Sequence, residues 1–193
     1  MIQYRHGVFE TNSSSSHSIV VSAKDDYYTK EEIEKSLYWK FEKDGLIEYW
    51  SDDDLRFGRY PFDILNTFAG KLRYVIAAYG WDDKIPQEIY DVCREMLDGF
   101  KGFKFPFYWD ERDERVEFHG DIDHQSCTLL KSFLEKNNIT IREFLLNRKY
   151  IVIIDGDEYN TFERLLSLDF IDHSKIDKIY GIYGEMRCNS DSN

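Results

Sequence analysis

The residues Glu10-Thr11-Asn12-Ser13-Ser14-Ser15-Ser16-His17-Ser18 set a carboxylate, an amide, a run of hydroxyls and an imidazole side by side. The apolar run Ile19-Val20-Val21 follows directly. Small hydroxyl side chains let the backbone approach an anion closely, and O–H and N–H groups both donate to phosphate oxygens. Arg5, Asn12, Ser13, Ser14, Ser15 and Ser16 therefore form a candidate phosphate-binding set. Histidine titrates near neutrality and suits general acid or base work, which makes His17 a candidate catalyst with Glu10 as a carboxylate to orient it. The same composition also suits a polar surface loop in which Ser and Asn make local turns.

A second group is His119-Gly120-Asp121-Ile122-Asp123-His124-Gln125-Ser126. It stands before a predicted helix, whose N-terminus attracts anions and lowers the pKa of a nearby histidine. His124 and Asp123 read as a base and the group that orients it; capping of that helix explains the same residues. A third group, Asp155-Gly156-Asp157-Glu158, follows an apolar run. It fits a binding loop or an acidic helix start, and its spacing is not that of a calcium loop. The sequence holds no P-loop, no G-x-G-x-x-G, no G-x-S-x-G and no H-E-x-x-H, so it calls for no metal and no cofactor. Cys127 near His124 gives only weak support for a thiol nucleophile.

Elements must position these groups. Tyr4 to Phe9 and Ser18 to Ser22 read as short strands on either side of the Ser loop. Thr29-Lys30-Glu31-Glu32 is a capping box and predicts a helix to about Leu37. Asp44-Gly45 predicts a hairpin between Tyr38–Glu42 and Leu46–Ser51. Pro61 opens a stretch with Phe62, Leu65, Phe68, Ala69, Leu72, Val75, Ile76 and Tyr79 at helical spacing, closed by Gly80. A further helix starts near Pro86 and ends before Gly99. Strands are predicted within Gly99–Tyr108 and at Arg115–His119, and helices from Ser126 to Leu134 and after Thr140. Tyr150-Ile151-Val152-Ile153-Ile154 reads as a central strand. Phe162–Leu168 reads as helix and Lys178–Tyr183 as the last strand. The predicted fold class is α+β: a single mixed or mainly antiparallel sheet with helices packed on one side. Residues 1–188 form one globular domain and 189–193 a disordered tail.

The chain of 193 residues is 42% hydrophobic and 17% aromatic, which is ample for a core. Its formal net charge of −12 repels phosphate backbones in general and argues against a protein that coats nucleic acid. Three widely spaced cysteines suit a reducing compartment and give neither a disulfide framework nor a structural zinc site. No apolar run approaches a membrane span, so the expectation is a cytoplasmic protein with no membrane partner.

The opening Arg5-His6-Gly7-Val8-Phe9-Glu10-Thr11-Asn12-Ser13-Ser14-Ser15-Ser16-His17-Ser18 resembles a little-characterised group of proteins from Gram-positive bacteria, their phages and other mobile elements, which begin R-x-G-x-F-E-T-N-S-S-S-x-H-S. Ile122 to Ser126 and Ile154 to Tyr159 resemble the same group. The resemblance implies a setting rather than an activity: a bacterial host cell and a mobile-element accessory protein, among which anti-defence proteins, including anti-CRISPR proteins, are common.

Two functional readings follow. In the first, the protein is a hydrolase, a ribonuclease or phosphodiesterase acting on RNA or a nucleotide. Arg5, Asn12 and Ser13 to Ser16 hold the phosphate, and His17 and His124 share metal-independent acid and base work with Glu10 or Asp123 orienting one ring. In the second, the protein is a non-enzymatic acidic inhibitor. Its segments Ser51–Asp54 and Asp110–Glu114 mimic nucleic acid on a basic host defence protein.

Overall fold

The computed structural model describes residues 16–21, 25–38, 40–57, 63–80, 84–112, 114–122, 128–155, 179–181 and 184–186. The chain is an α+β protein, as its sequence predicts. Among the described residues the strands do not form a single sheet: they divide into one five-stranded sheet and three two-stranded pairs.

The five-stranded sheet has the order β11-β10-β1-β9-β4 and is antiparallel throughout. Its strands are β1 (Ser16–Val21), β4 (Asp63–Leu65), β9 (Tyr150–Asp155), β10 (Ile179–Gly181) and β11 (Gly184–Met186). The β-branched run in β9 suits an interior strand, and β9 is held by β1 on one side and β4 on the other. Tyr150, Val152 and Ile154 join the core, as residues alternating along one face of a strand must. β10 is followed by one more short strand, β11, which the sequence reading did not foresee.

The helices are α1 (Lys30–Ser36), α2 (Phe68–Gly80), α3 (Gln87–Met96), α4 (Thr128–Asn137) and α5 (Ile141–Leu146). The capping box that predicts α1 is present: the Glu32 amide donates to Thr29 Oγ1, and the Thr29 amide donates to the Glu32 carboxylate at 2.9 Å. At α5 only half of the analogous device forms. The Glu143 amide donates to Thr140 Oγ1, while the Glu143 carboxylate accepts from Tyr27 and Asn147.

α2 corrects the sequence reading at its start. Helical spacing ran back to Phe62, but Asp63–Leu65 is strand and the helix begins at Phe68. Leu65 is buried in the sheet edge rather than on a helix face. Two apolar positions in so short a run are too few to tell a helix from a strand.

The hairpin predicted at Asp44-Gly45 is present in short form: the Glu42 amide donates to the Leu46 carbonyl at 2.9 Å and the Glu48 amide to the Lys40 carbonyl at 2.8 Å. Gly45 has φ +87°, and Phe41 and Ile47 form an isolated antiparallel bridge. The main partner of β2 (Leu46–Glu48) is instead β5 (Gly102–Lys104), in parallel. β3 (Arg56–Phe57) pairs in parallel with β8 (Asp121–Ile122), and β6 (Phe107–Trp109) pairs antiparallel with β7 (Arg115–Glu117). Among the described residues no helix is long and apolar enough to cross a membrane.

Candidate functional site at one end of the sheet

β1 and β4 both run opposite to β9, so both begin where β9 ends. The register makes this specific. Ser16 lies opposite Asp155, and His17 opposite Ile154. On the other side of β9, Asp63 also lies opposite Ile154. His17, Ile154 and Asp63 thus stand in one row across three strands, with the outer two about 10 Å apart at the usual interstrand spacing. β10 ends at the same end of the sheet, with Gly181 opposite Ser18, and β11 begins there with Gly184 opposite Gly181. Asp63 is exposed, and its Oδ1 accepts from the Ile64 amide at 2.8 Å.

This geometry corrects one part of the sequence reading. Ser16 is not a loop residue but the first residue of β1, and His17 lies within the strand rather than at its entrance. Hydrogen bonding along β9 extends the strand two residues earlier than the apolar pattern alone indicates. Arg5, Glu10, Asn12, Ser13, Ser14, Ser15, Asp123 and His124 lie outside the described residues, as do Tyr4–Phe9, Phe162–Leu168, Cys127 and residues 189–193. Asp63 escaped the sequence reading because nothing in its spacing distinguishes it. Only the pairing of β4 with β9 puts it in this row.

The described part of the second sequence group serves the fold. Gly120 has φ +136°, and a Cβ there would lie 2.4 Å from the Ala77 Cα. The His119 and Phe105 rings meet edge to face with their centres 4.9 Å apart, and the His119 Nε2 lies 3.2 Å from the Glu117 carboxylate. Asp121 pairs with Arg56 at 3.8 Å. β8 is thereby fixed between β3 and α2, and Ile122, the residue before Asp123, is buried.

Two buried reactive groups lie elsewhere in the core. The Cys93 thiol is fully buried, and desolvation pushes it up to about 12, far from the thiolate a nucleophile needs. Lys71 is also fully buried in α2. Its Nζ donates at 2.7 Å to the carbonyls of Phe144 and Asn147, which close the end of α5, and lies 4.8 Å from the centre of the Tyr28 ring. Desolvation pulls its pKa down to about 7, with Glu143 opposing and Arg148 reinforcing. The one sequence signal for it is a lysine three residues after Phe68, inside the apolar stripe of α2.

No group of three or more His, Cys, Asp and Glu among the described residues could hold a metal ion. No family model matches the chain, and neither a curated protein nor a solved structure matches it.

Proposed function

We propose that this protein is a mobile-element accessory hydrolase that binds a phosphodiester at the Ser16/Asp155 end of its sheet and cleaves RNA or a nucleotide by acid–base chemistry. The observation that carries the reading is the register that sets Ser16 opposite Asp155, at the end of the sheet where β4 begins with Asp63. The described ends of two of the three polar sequence groups, far apart in the chain, are paired there. Polar residues gathered at strand ends are where loops build binding sites on a rigid scaffold.

Arg5, Asn12 and Ser13 to Ser16 hold the phosphate oxygens. On RNA, one imidazole of the pair His17 and His124 takes the proton of the 2′-hydroxyl, and its oxygen forms a bond to phosphorus. The P–O5′ bond breaks, and the other ring, protonated, gives its proton to the departing oxygen. Glu10 or Asp123 orients one ring. The anti-defence setting supplies substrates of this kind, a guide RNA or a nucleotide signal.

The test is incubation of the purified protein with total bacterial RNA and a nucleotide panel, with and without EDTA. The expected result is cleavage that survives EDTA and is abolished in His17→Ala and in His124→Ala, both with unchanged circular dichroism. Full activity in both variants refutes the mechanism.

A further inference from the structure

The ribbon β6–β7 is open on both faces. Successive residues of a strand point to opposite sides, yet Phe107, Tyr108 and Trp109 are 50%, 45% and 71% exposed. A two-stranded ribbon is marginal in water by itself. This one is tied down at its base by the Phe118 amide, which donates to the Pro106 carbonyl at 2.7 Å, and by an edge contact between Tyr108 and Phe118. Phe, Tyr, Trp and Arg are the residue types that carry binding energy at protein interfaces, and here three aromatics and Arg115 share one short ribbon.

A second exposed tryptophan, Trp50, follows the neighbouring ladder. Tyr49 stacks on Phe105, so the β2–β5 ladder continues one step beyond its last paired residues. Trp50, 60% exposed, and Phe107 leave that ladder at the same end. Both Trp50 and Trp109 precede an acidic turn.

Charge decides what such a surface accepts. From Phe107 through Glu117 the chain has five acidic and two basic residues, within a net charge of −12. Both arginines are engaged: Arg112 with Asp110, and Arg115 over the Phe107 ring at 3.9 Å. An RNA strand or a second copy of this chain would meet like charge. The molecule also displays how a cation is held at this end: Lys40 lies 5.7 Å from the centre of the Trp50 ring while pairing with Asp54 at 2.6 Å. Guanidinium groups use the same combination of aromatic face and carboxylate.

We infer that the Phe107-Tyr108-Trp109 ribbon is a docking surface for an arginine-rich protein partner, with Trp109 as its anchor and Glu111 as a carboxylate contact. This surface is separate from the sheet-end site, and its test does not depend on any hydrolysis.

The probe is a fluorescein-labelled 12-residue peptide of alternating arginine and glycine, titrated with the full chain and followed by fluorescence anisotropy. The expected result is saturable binding that weakens as salt rises. Trp109→Ala weakens it at least about tenfold, and Glu111→Lys weakens it more than Glu34→Lys, which makes the same charge change on α1. The substituted side chains are exposed, and thermal melts confirm that the fold is kept. Absence of peptide binding, or equal losses from Glu111→Lys and Glu34→Lys, overturns the inference. So does tighter binding of a labelled RNA 12-mer, or a dimer in sedimentation that Trp109→Ala abolishes.

Discussion

Replacing Lys71 with Met removes an ammonium group from the core at nearly constant volume, and the consequence depends on pH. In the folded protein the amine titrates at about 7; in the unfolded chain it titrates near the ordinary lysine value of 10.5. Between these values the unfolded state carries more protons, so stability rises with pH across the window and is flat below it. Each unit contributes at most about 1.4 kcal/mol. From pH 7.5 to 9.5, below the range in which tyrosines titrate, Lys71 therefore adds about 2–3 kcal/mol to the wild type. The neutral amine keeps two N–H donors, enough for the carbonyls of Phe144 and Asn147. In Lys71→Met those carbonyls lose their donor, at a cost of about 1–3 kcal/mol each. The variant should therefore be less stable than wild type by about 2–6 kcal/mol at pH 9.5, with the gap narrowing by 2–3 kcal/mol at pH 7.5. Urea unfolding of both proteins at half-unit steps measures the gap. A difference that stays constant from pH 7.5 to 9.5 would show that Lys71 keeps its charge inside the fold, held by the carbonyls and the Tyr28 ring.

Tyr49→Phe should leave the melting temperature unchanged or raise it, because the buried Tyr49 hydroxyl has no hydrogen-bond partner among the described residues; a loss above about 1 kcal/mol would reveal a partner, such as a bound water. Gly120→Ala should cost about 2 kcal/mol or more in denaturant unfolding, since the new methyl meets the Ala77 backbone in α2 at a positive φ. A neutral result there would mean that β8 moves freely against α2.

The sequence was most legible where one short-range rule governs. Thr29 and Glu32 announce α1 by reciprocal capping, Pro86 and Gly99 bracket α3, and the β-branched run marks β9. It was least legible where a distant partner chooses between local options. Asp63–Leu65 is strand because β9 offers an edge, and Leu46–Glu48 pairs with β5 rather than folding back fully on Lys40–Glu42. Lys71 has a core position that no polarity scale predicts, because its two acceptors come from α5 and its end, more than seventy residues away. At the candidate site, the types of residue were visible and their meeting was not. Nothing near Ser16 signals Asp155, and only pairing across the sheet brings them together.

The middle position of β1 also has a consequence for biogenesis. Its two neighbours are β9 and β10, so this strand waits for partners that leave the ribosome more than a hundred residues after it. Contacts of such long separation close slowly and late. Until then the backbone of Ser16–Val21 is an open template for chaperones or for misplaced strands. The row that joins His17 to Asp63 through Ile154 comes into being only once β9 has been made, so any chemistry at that end of the sheet is withheld from the nascent chain.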